Sequence, residues 1–173
     1  FSMTPCPSTP LNRPTYSIPD NTDPLIAIAT DKEATSNTIM LFYKHPAVVE
    51  KTIGDFRQQE LVSGLYENML NNRLQEMSEK KTCPFIGAQS GYTSSFIART
   101  VGGYISEANA KDGKVLQTLE TVMTENERVL QHGFVQTELD RAKESLLIAY
   151  DKAAKEESKT ESSRLAAGYV DNF

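Results

Sequence analysis

The sequence contains no tryptophan, two cysteines and two histidines, and each scarcity narrows the chemistry available. Cys6 and Cys83 have no cysteine or histidine nearby at metal-ligand spacing, so they form no cysteine-based zinc motif. Nothing favours a disulfide between them over two structurally incidental thiols. A zinc peptidase centre needs two neutral imidazoles on one helical face, a carboxylate ligand and a glutamate that activates water. His45 precedes a proline, His132 stands at an expected helix end, and neither is followed by a second histidine. They read as a surface residue at a strand end and a cap suited to the negative pole of a helix. No apolar run is long enough to span a bilayer. Basic residues are outnumbered 18 to 23, and the net charge of -5 argues against a generic nucleic-acid binder. The N-terminus lacks the basic leader and apolar stretch of a signal peptide. Because the chain begins with Phe1 rather than Met, it reads as a piece excised from something longer. A lost leader would leave the compartment undetermined.

Nucleophilic catalysis is equally short of material. Gly87-Ala88-Gln89-Ser90-Gly91 is not a G-x-S-x-G elbow, because two residues separate the first glycine from the serine. Cys83 precedes Pro84 and has no distinctive acid–base neighbour. The abundant Asp and Glu residues read as solvated helix faces. No catalytic or metal-ligating residue is assigned to this chain.

What remains is the material of a folded domain. At 173 residues, 39% of them apolar, the chain is long enough to bury a core as a single domain. Six of the eight prolines fall in residues 1–24, which read as an extended linker from a preceding domain. Residues 25–173 form the expected domain. Leu25 to Thr30 is a buried-strand candidate, and Asn37 to Lys44 is a second one ended by His45-Pro46. Thr52 and Asp55 mark a helix start, and apolar positions from Phe56 to Met77 carry that helix to about Lys80. Two glycine-bearing strands are expected at Pro84 to Tyr92 and Thr100 to Ala110. A turn at Asp112-Gly113 leads to a helix that includes Val115 to Leu130. A third helix runs along Leu139 to Ala153, is interrupted by the polar run Lys155 to Ser163, and resumes from Arg164. The order is β-β-α-β-β-α-α, an α+β class with an antiparallel sheet covered on one face by helices.

One string is more specific than composition. Val129 to Lys143 reads as helix, glycine stop and helix restart: Gly133 can take the left-handed conformation that ends a helix, and Thr137 with Asp140 forms a capping-box pattern. Its Gly133-Phe134, Glu138-Leu139 and Arg141-Ala142-Lys143 resemble the signature of insulinase/pitrilysin/mitochondrial-processing-peptidase-like zinc metallopeptidases. Ala29-Thr30-Asp31-Lys32-Glu33-Ala34-Thr35 resembles a block found in bacterial members. Tyr43-Lys44-His45-Pro46, Gly54-Asp55-Phe56-Arg57 and Met69-Leu70-Asn71-Asn72-Arg73-Leu74 resemble the blocks that follow, in the same order. Together these blocks cover most of the chain from Thr15 to Phe173.

The family's zinc motif, H-x-x-E-H, does not occur in this chain. The resemblance therefore implies the non-catalytic second domain, which keeps the fold, lacks the ligands and completes a substrate chamber. It implies zinc in the catalytic domain of the parent polypeptide and none here. It also implies two partners, that catalytic domain and a peptide substrate, and a periplasmic setting. In such domains a strand edge can pair with an extended peptide by main-chain hydrogen bonds, which ignore side-chain identity. The matching positions are Gln89, Ser90, Gly91 and Tyr92, with Val101, Gly102, Gly103, Tyr104, Ile105 and Ser106. The glycines among them mark close backbone approach on this reading, and only sheet twist and turns on the plainer one. The family's arginine–tyrosine pair that reaches substrate matches Arg99 and Tyr104 only approximately, so no role is carried over to them. The alternative function is a structural or assembly module of a homologue without peptidase activity. An H-x-x-E-H upstream of Phe1 would favour the protease.

Overall fold

A computed structural model describes Pro14 and residues 16–47, 52–98, 100–156 and 159–171. The elements are β1 (Asn37–Pro46), α1 (Ile53–Phe56), a π-helical turn (Arg57–Val62), α2 (Ser63–Ser78), β2 (Phe85–Ala98), β3 (Val101–Ala110), α3 (Val115–His132), α4 (Gln136–Glu156) and α5 (Ser162–Asp171). The three strands form one antiparallel sheet in the order β1-β3-β2. The α+β class is as the sequence pattern predicts.

The expected strand at Leu25 to Thr30 does not form: no ladder includes it, and Leu25, Ile26 and Ile28 are 84%, 83% and 85% exposed. A strand is stabilised by a neighbour that takes its backbone hydrogen bonds, and among the described residues none lies beside this segment. Regular structure begins at Asn37 instead. Between them, the Asp31 side chain accepts from the Glu33 amide at 2.8 Å, and its carbonyl accepts from Ala34, making a local turn.

Local signals explain most element ends. Thr52 and Asp55 form a reciprocal capping box at the start of α1, with bonds of 3.1 and 3.0 Å. Gly113 adopts φ of 68° in the turn before α3. The polar run from Lys155 separates α4 from α5. The first helix is less regular than its periodicity implies, because the π-helical turn inserts between α1 and α2.

Alternation along the strands puts Ile39, Leu41, Tyr43 and His45 of β1 on one face with Tyr104, Ser106, Ala108 and Ala110 of β3. Ala88, Ser90 and Tyr92 of β2 join them. Helices α2 and α3 cover that face. The core consists of Leu70, Leu74, Cys83, Phe85, Ala108, Val122 and Val129. Leu70, Leu74 and Phe85 are fully buried, and each such side chain stabilises by about 1.5–3 kcal/mol. The opposite face is more open: Met40, Gln89 and Asn109 are exposed. Helix α4 lies outside α2 and buries only Ala142.

Candidate functional site

The hairpin brings the two predicted segments side by side, with Gln89 opposite Glu107, Ser90 opposite Ser106, Gly91 opposite Ile105 and Tyr92 opposite Tyr104. They do not form one surface. Ser90, Tyr92, Gly102, Tyr104 and Ser106 point to the helix-covered face, while Gln89, Gly91, Val101, Gly103 and Ile105 point to the other. Strand β3 is central and paired on both sides, so its main chain has no edge to offer. Strand β2 is an edge strand. Gly103 lacks a side chain for a packing reason: a Cβ there would stand 2.6 Å from the Phe42 ring and 3.1 Å from the Tyr43 carbonyl oxygen.

The edge of β2 is clasped by α2. Asn71 acts as a substitute strand, accepting from the Ser90 amide at 2.8 Å and donating to the Ser90 carbonyl at 2.9 Å. Glu67 accepts from the Tyr92 amide at 2.7 Å. Both side chains satisfy backbone groups that would otherwise recruit another strand. Neither Asn71 nor Glu67 was expected from the sequence, although an Asn and a Glu four residues apart do share a helix face.

On the helix side, the predicted residues enter a polar chain. Ser90 and Ser106 hydroxyls are 2.7 Å apart, Asn126 donates to Ser106 at 3.3 Å, and the Tyr104 hydroxyl donates to Asn126 at 2.6 Å. Tyr66 lies 3.5 Å from Tyr104. The same rings form an aromatic cluster: Tyr92–Tyr104 centroids are 5.0 Å apart, Tyr66–Phe134 5.6 Å and His45–Tyr92 6.1 Å. Burial, followed by contact with Tyr104, pushes the Tyr66 phenol well above its usual range. Burial also raises Tyr92, with Tyr104 and Glu67 adding to the effect. Both phenols therefore stay protonated at neutral pH.

The glycine–phenylalanine string is anchored by Arg73. Gly133 ends α3 with φ 66° and ψ -151°, a region almost reserved for glycine, and its amide donates to the Val129 carbonyl at 2.8 Å. Helix α4 starts at Gln136, and the predicted Thr137–Asp140 box does not form there. Glu138 caps the helix instead, accepting from the Val135 amide at 2.8 Å. Arg73 donates to both Glu138 oxygens, at 2.5 and 2.8 Å, to Glu125 at 3.2 Å and to the Gly133 carbonyl at 3.2 Å. Its guanidinium lies 4.8 Å from the Phe134 ring centre. Hydrogen bonding from Arg73, partly opposed by burial, holds the Glu138 carboxyl down at about 2. The motif is therefore a scaffold joint binding α2, α3 and α4.

His132 lies exposed in the last turn of α3, where the sequence places it. His45 is more enclosed than a surface residue: its Nε2 is buried beside Tyr92. Cys83 is buried in the core as a free thiol; Cys6 and Arg99 lie outside the described residues. No three His, Cys, Asp or Glu side chains gather to hold a metal among the described residues. No helix among them is long and apolar enough to cross a membrane.

No protein-family profile matches the chain. Individual proteins do. The probable zinc protease PqqL of Escherichia coli K12 is 30% identical over 149 residues, 84% of this chain and 16% of that protein. A PQQL-like zinc protease of Arabidopsis thaliana is 23% identical over 166 residues, 96% of this chain and 14% of the relative. The chain thus spans about one sixth of these relatives' lengths. Its fold matches the crystal structure of the periplasmic protease PqqL with a TM-score of 0.69 and 26% identity, over 82% of this chain and 16% of that one. It also matches the structure of the first half of PqqL, with a TM-score of 0.69 and 28% identity, over 82% of this chain and 31% of that half. By sequence and by fold together, the chain is homologous to part of the first half of the zinc protease PqqL.

Proposed function

We propose that this chain is the non-catalytic second domain of a bacterial insulinase-type zinc metalloendopeptidase, working in the periplasm. Residues 25–173 form the domain, and residues 1–24 link it to a catalytic domain of the same polypeptide that holds the zinc. The chain contributes a wall of the substrate chamber and a contact surface for extended peptide. One observation carries this reading: homology to the first half of a zinc protease, in a sequence without H-x-x-E-H.

In the contact surface, Gln89, Ser90, Gly91 and Tyr92 supply the strand edge, and Val101 to Ser106 form the rigid strand behind it. A peptide pairing with β2 takes over the Ser90 and Tyr92 main-chain bonds now made by Asn71 and Glu67. One set of backbone bonds replaces another, so weak affinity and broad sequence tolerance are expected. The test compares hydrolysis of an unstructured peptide mixture by the full polypeptide and by residues 1–173 alone. The full polypeptide should cleave and lose activity to a chelator, while the isolated chain stays inactive. Chelator-sensitive cleavage by the isolated chain would overturn the assignment.

A further inference from the structure

A cleft beside His45 adjoins the β2 edge, sharing Tyr92 with it, and is separate from the Arg73 joint. It holds about 350 Å3 and is lined by His45, Gln58, Val62, Ser63, Tyr66 and Tyr92. Gln58 and Val62 belong to the π-helical turn, a rare geometry found disproportionately at functional sites. The Tyr66 and Tyr92 rings stand 6.1 Å apart and tilted by 56°, and His45 meets Tyr92 at 6.1 Å and 51°. These rings present flat apolar surface, and Val62 and Tyr92, each 51% exposed, leave the mouth open. Among the described residues no carboxylate lines the cleft.

The imidazole defines what the guest must offer. His45 Nδ1 lies 2.8 Å from the Pro46 carbonyl oxygen. A carbonyl only accepts, so Nδ1 carries the hydrogen and, in the neutral ring, Nε2 is an acceptor. That Nε2 is buried and has no hydrogen-bond partner among the described residues. Buried acceptors are nearly always matched by a donor.

We propose that this cleft binds a planar aromatic group carrying a hydrogen-bond donor, a phenol or an indole, with its ring against Tyr66 and Tyr92 and its O–H or N–H donating to His45 Nε2. The cleft volume falls within the range of about 300–1,000 Å3 usual for small-ligand sites. Such a group is carried by a tyrosine or tryptophan side chain of a peptide, or by a free small molecule. The inference stands on the cleft geometry and does not require peptide pairing along β2.

Ligand-observed fluorine NMR on the full-length protein tests it, with 4-fluorophenol against fluorobenzene, which has the ring without the donor. The phenol should bind roughly fivefold or more tightly, the ratio of one neutral hydrogen bond. His45→Phe keeps a ring and removes the acceptor, so the ratio should fall to about one. Equal affinities in the native protein, a preference that survives His45→Phe, or no binding of either probe would each overturn the proposal. A capped alanine peptide bearing one fluorotyrosine separates the sources. Tighter binding than 4-fluorophenol, lost on removing the hydroxyl, assigns a peptide side chain; binding of the free phenol alone assigns a small molecule.

Discussion

Replacing Glu138 with glutamine asks whether one ion pair holds the Gly133–Phe134 joint to α2. Glutamine keeps the side chain's length and an acceptor for the Val135 amide but loses the charge that meets Arg73 at 2.5 and 2.8 Å. The Glu138 side chain is 13% exposed and that of Arg73 19%, so solvent screens the pair only modestly. The carboxyl sits at about 2 in the folded chain, against about 4.3 when unfolded. A folded value below the unfolded one means that stabilisation is complete above the unfolded pKa. It is lost as pH falls through the folded pKa. Linkage then gives about 3 kcal/mol at pH 7, roughly half of that at pH 3 and little at pH 2. Urea unfolding of the native protein and Glu138→Gln at these three pH values should show their stability difference shrinking in that order. A difference below about 1 kcal/mol at pH 7 would refute the reasoning, as would one that does not change between pH 7 and pH 2.

Gly133→Ala puts a Cβ on a residue at φ 66° and ψ -151°, which should cost about 1–3 kcal/mol and lower the thermal midpoint. Open space around that Cβ makes the backbone the only source of the penalty. Asn71→Ala removes both bonds to the Ser90 main chain. The unfolding free energy should fall by about 1–3 kcal/mol, and exchange of the Ser90 amide hydrogen should accelerate.

Much of the fold was legible because its signals are local. The capping box at Thr52, the turn glycine at 113 and the stop at Gly133 each act within a few residues, and each falls where the sequence predicts. Leu25 to Thr30 shows the limit: its composition is that of a buried strand, but burial depends on a neighbour, which is information the segment does not contain. Segments 89–92 and 101–106 were correctly read as strands. Which of them is the edge depends on the order β1-β3-β2, a tertiary fact. The clasp by Asn71 and Glu67, the Arg73–Glu138 pair and the enclosure of His45 were not legible for the same reason. They join residues 19 or more positions apart, with Arg73 and Glu138 separated by 65. The helix–glycine–helix string carries the family resemblance, and the structure adds its mechanical meaning.

The most direct measurement of peptide contact along β2 is photo-crosslinking in the full-length protein, treated with chelator so that bound peptide is not cleaved. A photoreactive residue at Gln89, exposed on the edge strand, should capture an extended peptide, whereas one at Glu127, exposed on α3, should not. Equal capture at the two positions, or none at Gln89, would contradict the account.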